Sequence, residues 1–102
     1  MHRYLKVSEV LAQMHVDAEL LHALEEEDLI HPKRTLEGEL VISLDDAERV
    51  RVVQTLLHDL EVNLPGVEVI MHMRDTMLAM QKQFEEILEA LADELRQRRV
   101  GS

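Results

Sequence analysis

Six carboxylates and no base occupy the twelve residues from Asp17 to Asp28: Asp17, Glu19, Glu25, Glu26, Glu27 and Asp28. The chemistry open to such a set is electrostatic. A surface that reads nucleic acid needs Lys and Arg, because neutralising phosphates supplies most of the non-specific affinity. This segment would be repelled by a duplex and attracted to a basic protein. It is also locally unfavourable, since carboxylates near a helix C-terminus oppose the macrodipole at a cost of up to about 1 kcal/mol each. Solubility and partner binding both account for its presence.

Other chemistries find less support. The six histidines have no recognised ligand spacing: His15 and His22 are seven apart, and His58 and His72 fall on different expected helices. No metal site or cofactor is expected, and exposed imidazoles are the better account. His22 and Glu26 can pair at i,i+4, a contact worth a few tenths of a kcal/mol. Ser8 and Ser43 make sense as helix caps. No Gly-rich phosphate loop or nucleophile elbow is present, so no catalytic residue is assigned and an enzyme is not expected. Met71, Met73, Met77 and Met80 cluster within ten residues. Flexible Met-rich surfaces can accept varied partners, but three of these four fall on a helical seam and read better as the core of a dimer.

The net charge of −10 is uneven. Residues 1–48 hold twelve acids and four bases, whereas residues 49–102 hold nine acids and seven bases. The negative field therefore belongs to the N-terminal half and argues against general nucleic-acid or anionic-membrane binding. Cysteine is absent, which excludes disulfides and thiol chemistry and fits a cytoplasmic protein. No apolar run approaches the roughly 20 residues of a membrane span, and Met1–Lys6 lacks a signal peptide's apolar stretch. Tyr4 and Phe84 are the only aromatics, so base-stacking platforms are not expected.

These residues must be positioned by short elements. Tyr4-Leu5-Lys6-Val7 reads as extended. Ser8 suits the N-cap of a first helix carrying Val10, Leu11 and Met14, and Asp17 suits the cap of a second with Leu20, Leu21 and Leu24 inside. Together they make a helix-turn-helix. Pro32 stops the helix. Lys33-Arg34-Thr35-Leu36 and Glu39-Leu40-Val41-Ile42 flank Glu37-Gly38 as a two-stranded wing. Ser43 or Asp45 caps a third helix with Ala47, Val50, Val53, Leu57 and Leu60 at helical spacing. Asn63 caps the last, with Pro65 in its first turn.

In that last helix Ile70, Met73, Met77, Met80, Phe84, Ile87 and Leu91 alternate spacings of three and four. The spacing predicts a coiled-coil seam, which Leu88 and Leu95 widen. Arg74, Thr76, Gln81 and Gln83 flank it with few charges, so ion pairs do not set its orientation. One helix cannot bury this stripe, and a homodimer through it is expected. The fold class is thus mainly α: a winged helix-turn-helix domain over residues 1–63 and a dimerisation helix over residues 64–99.

This order of elements resembles the MerR-like superfamily and, within it, the CbpM-type chaperone modulators. The resemblance rests on Asp28-Leu29-Ile30-His31-Pro32, on Asp45-Asp46-Ala47, and on Asn63-Leu64-Pro65-Gly66-Val67. It covers roughly residues 4–95. The Leu-Pro-Gly-Val step is similar to the Trp-Pro-Gly-Ile step of those modulators, with Leu64 in place of the Trp. DNA-binding members carry an Arg-Tyr-Tyr-like cluster in the second helix and an Arg-rich wing tip. Here those places read Glu19-Leu20-Leu21-His22-Ala23-Leu24 and Glu37-Gly38-Glu39.

The resemblance implies an inhibitor that binds the J-domain of a DnaJ-like co-chaperone of the CbpA type and blocks its stimulation of DnaK. J-domains carry a basic helix, which an acidic protein would meet quickly. Helix phase and charge, rather than any matching motif, select Glu19, Glu25, Glu26 and Asp28 for that contact, followed by Asp45, Asp46 and Asp59. The alternative is a MerR-like transcriptional regulator of the heat-shock repressor kind, kept open by Lys33 and Arg34 near the wing.

Overall fold

Most helix boundaries in the N-terminal part are fixed by local hydrogen-bonding devices that the sequence supplies. The computed structural model describes residues 3–101, so Met1, His2 and Ser102 lie outside the description. The chain runs β1 (Tyr4–Lys6), α1 (Val7–Met14), α2 (Ala18–Glu26), β2 (Lys33–Arg34), β3 (Leu40–Ser43), α3 (Leu44–Gln54) and α4 (Leu64–Gly101). A π-helical turn, Thr55–Asp59, extends α3. This is the mainly helical winged helix-turn-helix expected from the sequence.

Three of the expected caps are made. Asp17 Oδ1 accepts from the Leu20 amide at 2.8 Å, Ser43 Oγ from the Asp46 amide at 3.0 Å, and Asn63 Oδ1 from the Gly66 amide at 2.9 Å. Each satisfies one of the orphan donors of a helix N-terminus. Of the two candidates for α3, the cap is Ser43. Ser8 is not a cap, because α1 starts at Val7 directly from the strand, with Lys6 at the cap position and no side-chain bond. Pairing of β1 with β3 carries the chain straight into α1 and leaves no turn for Ser8 to close.

The C-termini are closed without glycine. His15 (φ 55°) and Asp28 (φ 58°) adopt the left-handed conformation after α1 and α2. The amide of Val16 donates to Leu11 O at 3.2 Å, while the Asp28 and Leu29 amides donate to Glu25 O and Leu24 O at 3.0 and 2.9 Å. That double closure after α2 is a Schellman motif, and buried Leu24 and Leu29 supply its usual apolar contact.

The wing differs from the sequence expectation in extent. β2 holds only Lys33 and Arg34, and β1 adds a third strand to give the order β1-β3-β2, all antiparallel. Thr35 ends β2 because its hydroxyl accepts the Glu39 amide at 3.1 Å and its carbonyl accepts the Gly38 amide at 2.9 Å. Gly38 takes φ 84°, a value for which glycine is suited. Leu36 is therefore at the turn, fully exposed at 105%, rather than in a strand.

The core joins Val7 and Val10 of α1, Leu21 and Leu24 of α2, Leu29 and Ile30, Ile42 of β3, and Ala47, Val50 and Val53 of α3. The expected helical phase of the third helix then breaks. In the π turn the Leu60 amide donates to Thr55 O and the Val62 amide to Leu56 O, and the wider turn puts Leu56 inside and leaves Leu60 63% exposed. Glu61, at φ 52°, reverses the chain toward Asn63.

One compact unit ends at Met71 and a second begins at His72. The first two turns of α4 belong to the former: Val67 and Met71 are fully buried in its core, and Leu64 and Ile70 pack against it. A Cβ at Gly66 would stand 2.8 Å from Val62 Cγ1 and 3.1 Å from the capping Asn63 Oδ1, so the close approach requires glycine. From His72 onward every large apolar side chain of α4 is exposed, including Met73, Met77, Met80, Phe84, Ile87 and Leu91.

Candidate partner-binding surface

The second helix turns Leu21 and Leu24 inward and holds its acids outward. Glu19, Glu25 and Glu26 are exposed, and so is His22, whose Nε2 lies 3.1 Å from Glu26 Oε1. Both partners of that pair are largely solvated, which limits its contribution to a few tenths of a kcal/mol. Asp28 is exposed as well. Its left-handed backbone gives it a second role, since Asp tolerates that conformation better than most residues.

Asp45 and Asp46 separate. Asp45 is exposed. Asp46 is 9% exposed, and its Oδ2 accepts the His31 amide at 2.7 Å. Its carboxylate is thus spent inside the protein, at the N-terminus of α3 where a negative charge is also favoured. Asp46 does not share the solvent-facing surface of Glu19, Glu25 and Glu26. Asp59 is exposed in the π turn.

Bases near the wing and on α3 make contacts on the surface of the domain, and Lys6, Lys33 and Arg34 stay exposed to solvent. Arg34 Nη1 donates to Gly38 O at 2.9 Å across the wing turn, and Lys33 Nζ stands 5.8 Å from the centroid of the Tyr4 ring. Lys6 pairs with Glu39 at 3.3 Å. Arg49 Nε donates to Leu29 O at 2.5 Å. Arg51 bonds Glu48 through Nε and Nη2; that hydrogen bond, and then the Coulomb attraction of the carboxylate, raise the Arg51 pKa above its ordinary value.

A groove of about 260 Å³ opens beside the acidic helix, between α1, α2 and the wing. Val7, Leu11, Leu21, Pro32 and Leu40 make its apolar walls, and Ala18, His22 and Glu25 lie along the α2 edge. A second groove of about 330 Å³ joins His15, Asp17, Leu20 and His58. Among the described residues no three His, Asp or Glu side chains are grouped to hold a metal ion, and no helix is long and apolar enough to cross a membrane.

Over residues 5–89 the chain matches the profile of the MerR HTH family of regulatory proteins. It belongs to that family. Among curated proteins none matches.

MerR-like structure explains what the quoted motifs do. The Asp28–Pro32 connection is tied down by Asp46, which takes the His31 amide, and by Arg49, which donates to Leu29 O. Gln54 completes the set by donating to Met14 O at 2.6 Å. Asn63 and Gly66 form the α4 cap. These contacts fasten the domain together, and of the quoted residues Pro32 also lines the groove beside α2.

The groove was not visible in the sequence, because its walls come from four separated elements. The role of Asp46 had one local signal, the Ser43-x-x-Asp46 spacing of a capping box. Here the third-position acid reaches His31 instead of its own cap. Asp46→Ala is expected to cost about 2–3 kcal/mol, the loss of a charge-assisted bond to a part-buried amide. Chemical denaturation checks it: Asp45→Ala, which removes an exposed acid, should stay within about 1 kcal/mol of wild type.

Proposed function

We propose that this MerR-like protein acts as an adaptor that binds the basic helix of a J-domain co-chaperone of the DnaJ type through α2 and inhibits its stimulation of DnaK. The observation that carries this reading is the outward face of α2, with Glu19, Glu25 and Glu26 exposed and no Lys or Arg between Asp17 and Asp28. Regulation through protein contact needs neither a cofactor nor catalysis. Two copies would assemble through the exposed stripe of α4, a contiguous apolar surface of the kind that marks interaction sites.

The test is surface-coupled kinetics of the purified J-domain against wild type and a Glu19→Lys, Glu25→Lys, Glu26→Lys variant at several salt concentrations. Asp28 is left in place because a Lys at φ 58° would strain the helix end. Association at low salt should fall by about tenfold or more, and its ionic-strength dependence should flatten, because such charges act on encounter. Unchanged association by a folded variant would remove α2 from the interface.

A second reading, a DNA-binding transcriptional regulator, is favoured by the family match itself and by the helix-turn-helix with its wing. Anisotropy titrations with mixed duplexes separate the two readings. The adaptor reading expects no binding at physiological salt, and tight, salt-sensitive binding to one sequence would replace it.

A further inference from the structure

We infer that the groove between α1, α2 and the wing is an anchor pocket for one large apolar side chain, presented by a basic helix of the protein partner. This rests on the reading of α2 as a docking face and adds to it the contact that would hold the complex once formed.

Three observations lead there. The groove is apolar, walled by Val7, Leu11, Leu21, Pro32 and Leu40, so it gains by excluding water. Its volume of about 260 Å³ lies at the small end of the roughly 300–1,000 Å³ of ligand-enclosing sites and accommodates one large side chain. Finally, Glu25 stands on its rim, with Glu19 and Glu26 exposed on the same helix. Charge and shape therefore ask for the same partner: an amphipathic helix with one Leu, Met or Phe flanked by Lys or Arg.

This arrangement divides the labour of binding. Carboxylates at the rim draw the basic helix in and are sensitive to salt. The buried apolar residue then sets the lifetime of the complex, as anchors in desolvated pockets do. Charge reversal on α2 and filling of the groove should consequently act on different rate constants.

The experiment uses the full chain and three labelled helical peptides. One carries a central Leu flanked by Lys residues, the second has Ser in place of that Leu, and the third is an acidic control with the Leu kept. Ala18, exposed at the groove's edge, is replaced by Leu or Trp to fill the space from its rim. Circular dichroism and melting curves establish that both variants fold. The expected result is binding of the Leu peptide, at least about thirtyfold weaker binding of the Ser peptide, and no binding of the acidic one. Ala18→Trp should weaken the Leu peptide by a similar factor through faster dissociation, Ala18→Leu by less, and neither should alter the Ser peptide.

Equal binding of the Leu and Ser peptides, both lost on charge reversal of α2, would overturn the groove while leaving the docking face standing. Absence of binding by either basic peptide would overturn the docking face and the groove together. Peptide binding indifferent to Ala18→Trp would place the anchor elsewhere. A change of oligomeric state in Ala18→Trp would assign the groove to a second copy of this chain and overturn the proposal.

Discussion

Glutamate at both Met77 and Phe84 is expected to convert an assembly of two chains into monomers. Light scattering at micromolar concentration should give twice the 11.8 kDa chain mass for wild type and the single mass for the double variant. The side chains that would meet a partner are Met73, Met77, Met80, Phe84, Ile87, Leu88, Leu91 and Leu95, each about half to two-thirds exposed in the single chain. Met77 and Phe84 lie in the middle of this stripe, so a carboxylate there would be desolvated on assembly. Such burial costs several kcal/mol per group, and four groups per dimer would weaken association by at least about a thousandfold.

Met77, Phe84 and Leu91 are seven residues apart, as are Met73, Met80 and Ile87, which is the repeat of a coiled-coil seam. Lys82→Glu, off the stripe, is the control and should leave the mass unchanged. A wild-type chain that runs as a monomer would sink the assembly.

Met71→Ala should cost about 2–5 kcal/mol in the N-terminal unit, whereas Met73→Ala, two residues away, should cost less than about 0.5 kcal/mol. Met71 is 0% exposed and packs with Val67 in the core, while Met73 is 57% exposed. Truncation of a buried side chain loses transfer free energy and leaves a cavity. Truncation of a solvated one loses little. Urea denaturation should be run in the Met77→Glu, Phe84→Glu background, so that assembly does not add to the apparent stability. Equal effects at the two methionines would mean that α4 does not contribute its first two turns to the globular core.

The features legible in the sequence were those decided within a few residues. Asp17, Ser43 and Asn63 are caps because a short polar side chain next to a helix start reaches an amide three positions on. Gly38 marked the wing turn because few other residues take a positive φ cheaply. Apolar spacing identified each helix, and the acidity of residues 17–28 was plain from composition. Family membership followed from the order of these elements, since order is local information repeated along the chain.

Tertiary structure decided whatever depended on residues far apart in sequence. Nearness in sequence grouped Met71 with Met73, Met77 and Met80, yet it is core, because the first turns of α4 bury Val67 and Met71 in the N-terminal unit and the rest of the helix does not. The phase of Leu56 and Leu60 was set by a π turn that periodicity does not reveal. Asp45 and Asp46 read alike in sequence. One faces water and the other accepts the His31 amide fifteen residues away, because α3 lies against the Asp28–Pro32 connection. Charge could be counted from the sequence, but whether Arg34 was free or folded back onto Gly38 O could not. Side-chain type and local spacing fix which elements form. Which of their polar groups remain available to a partner is fixed only when those elements pack and satisfy one another's backbone.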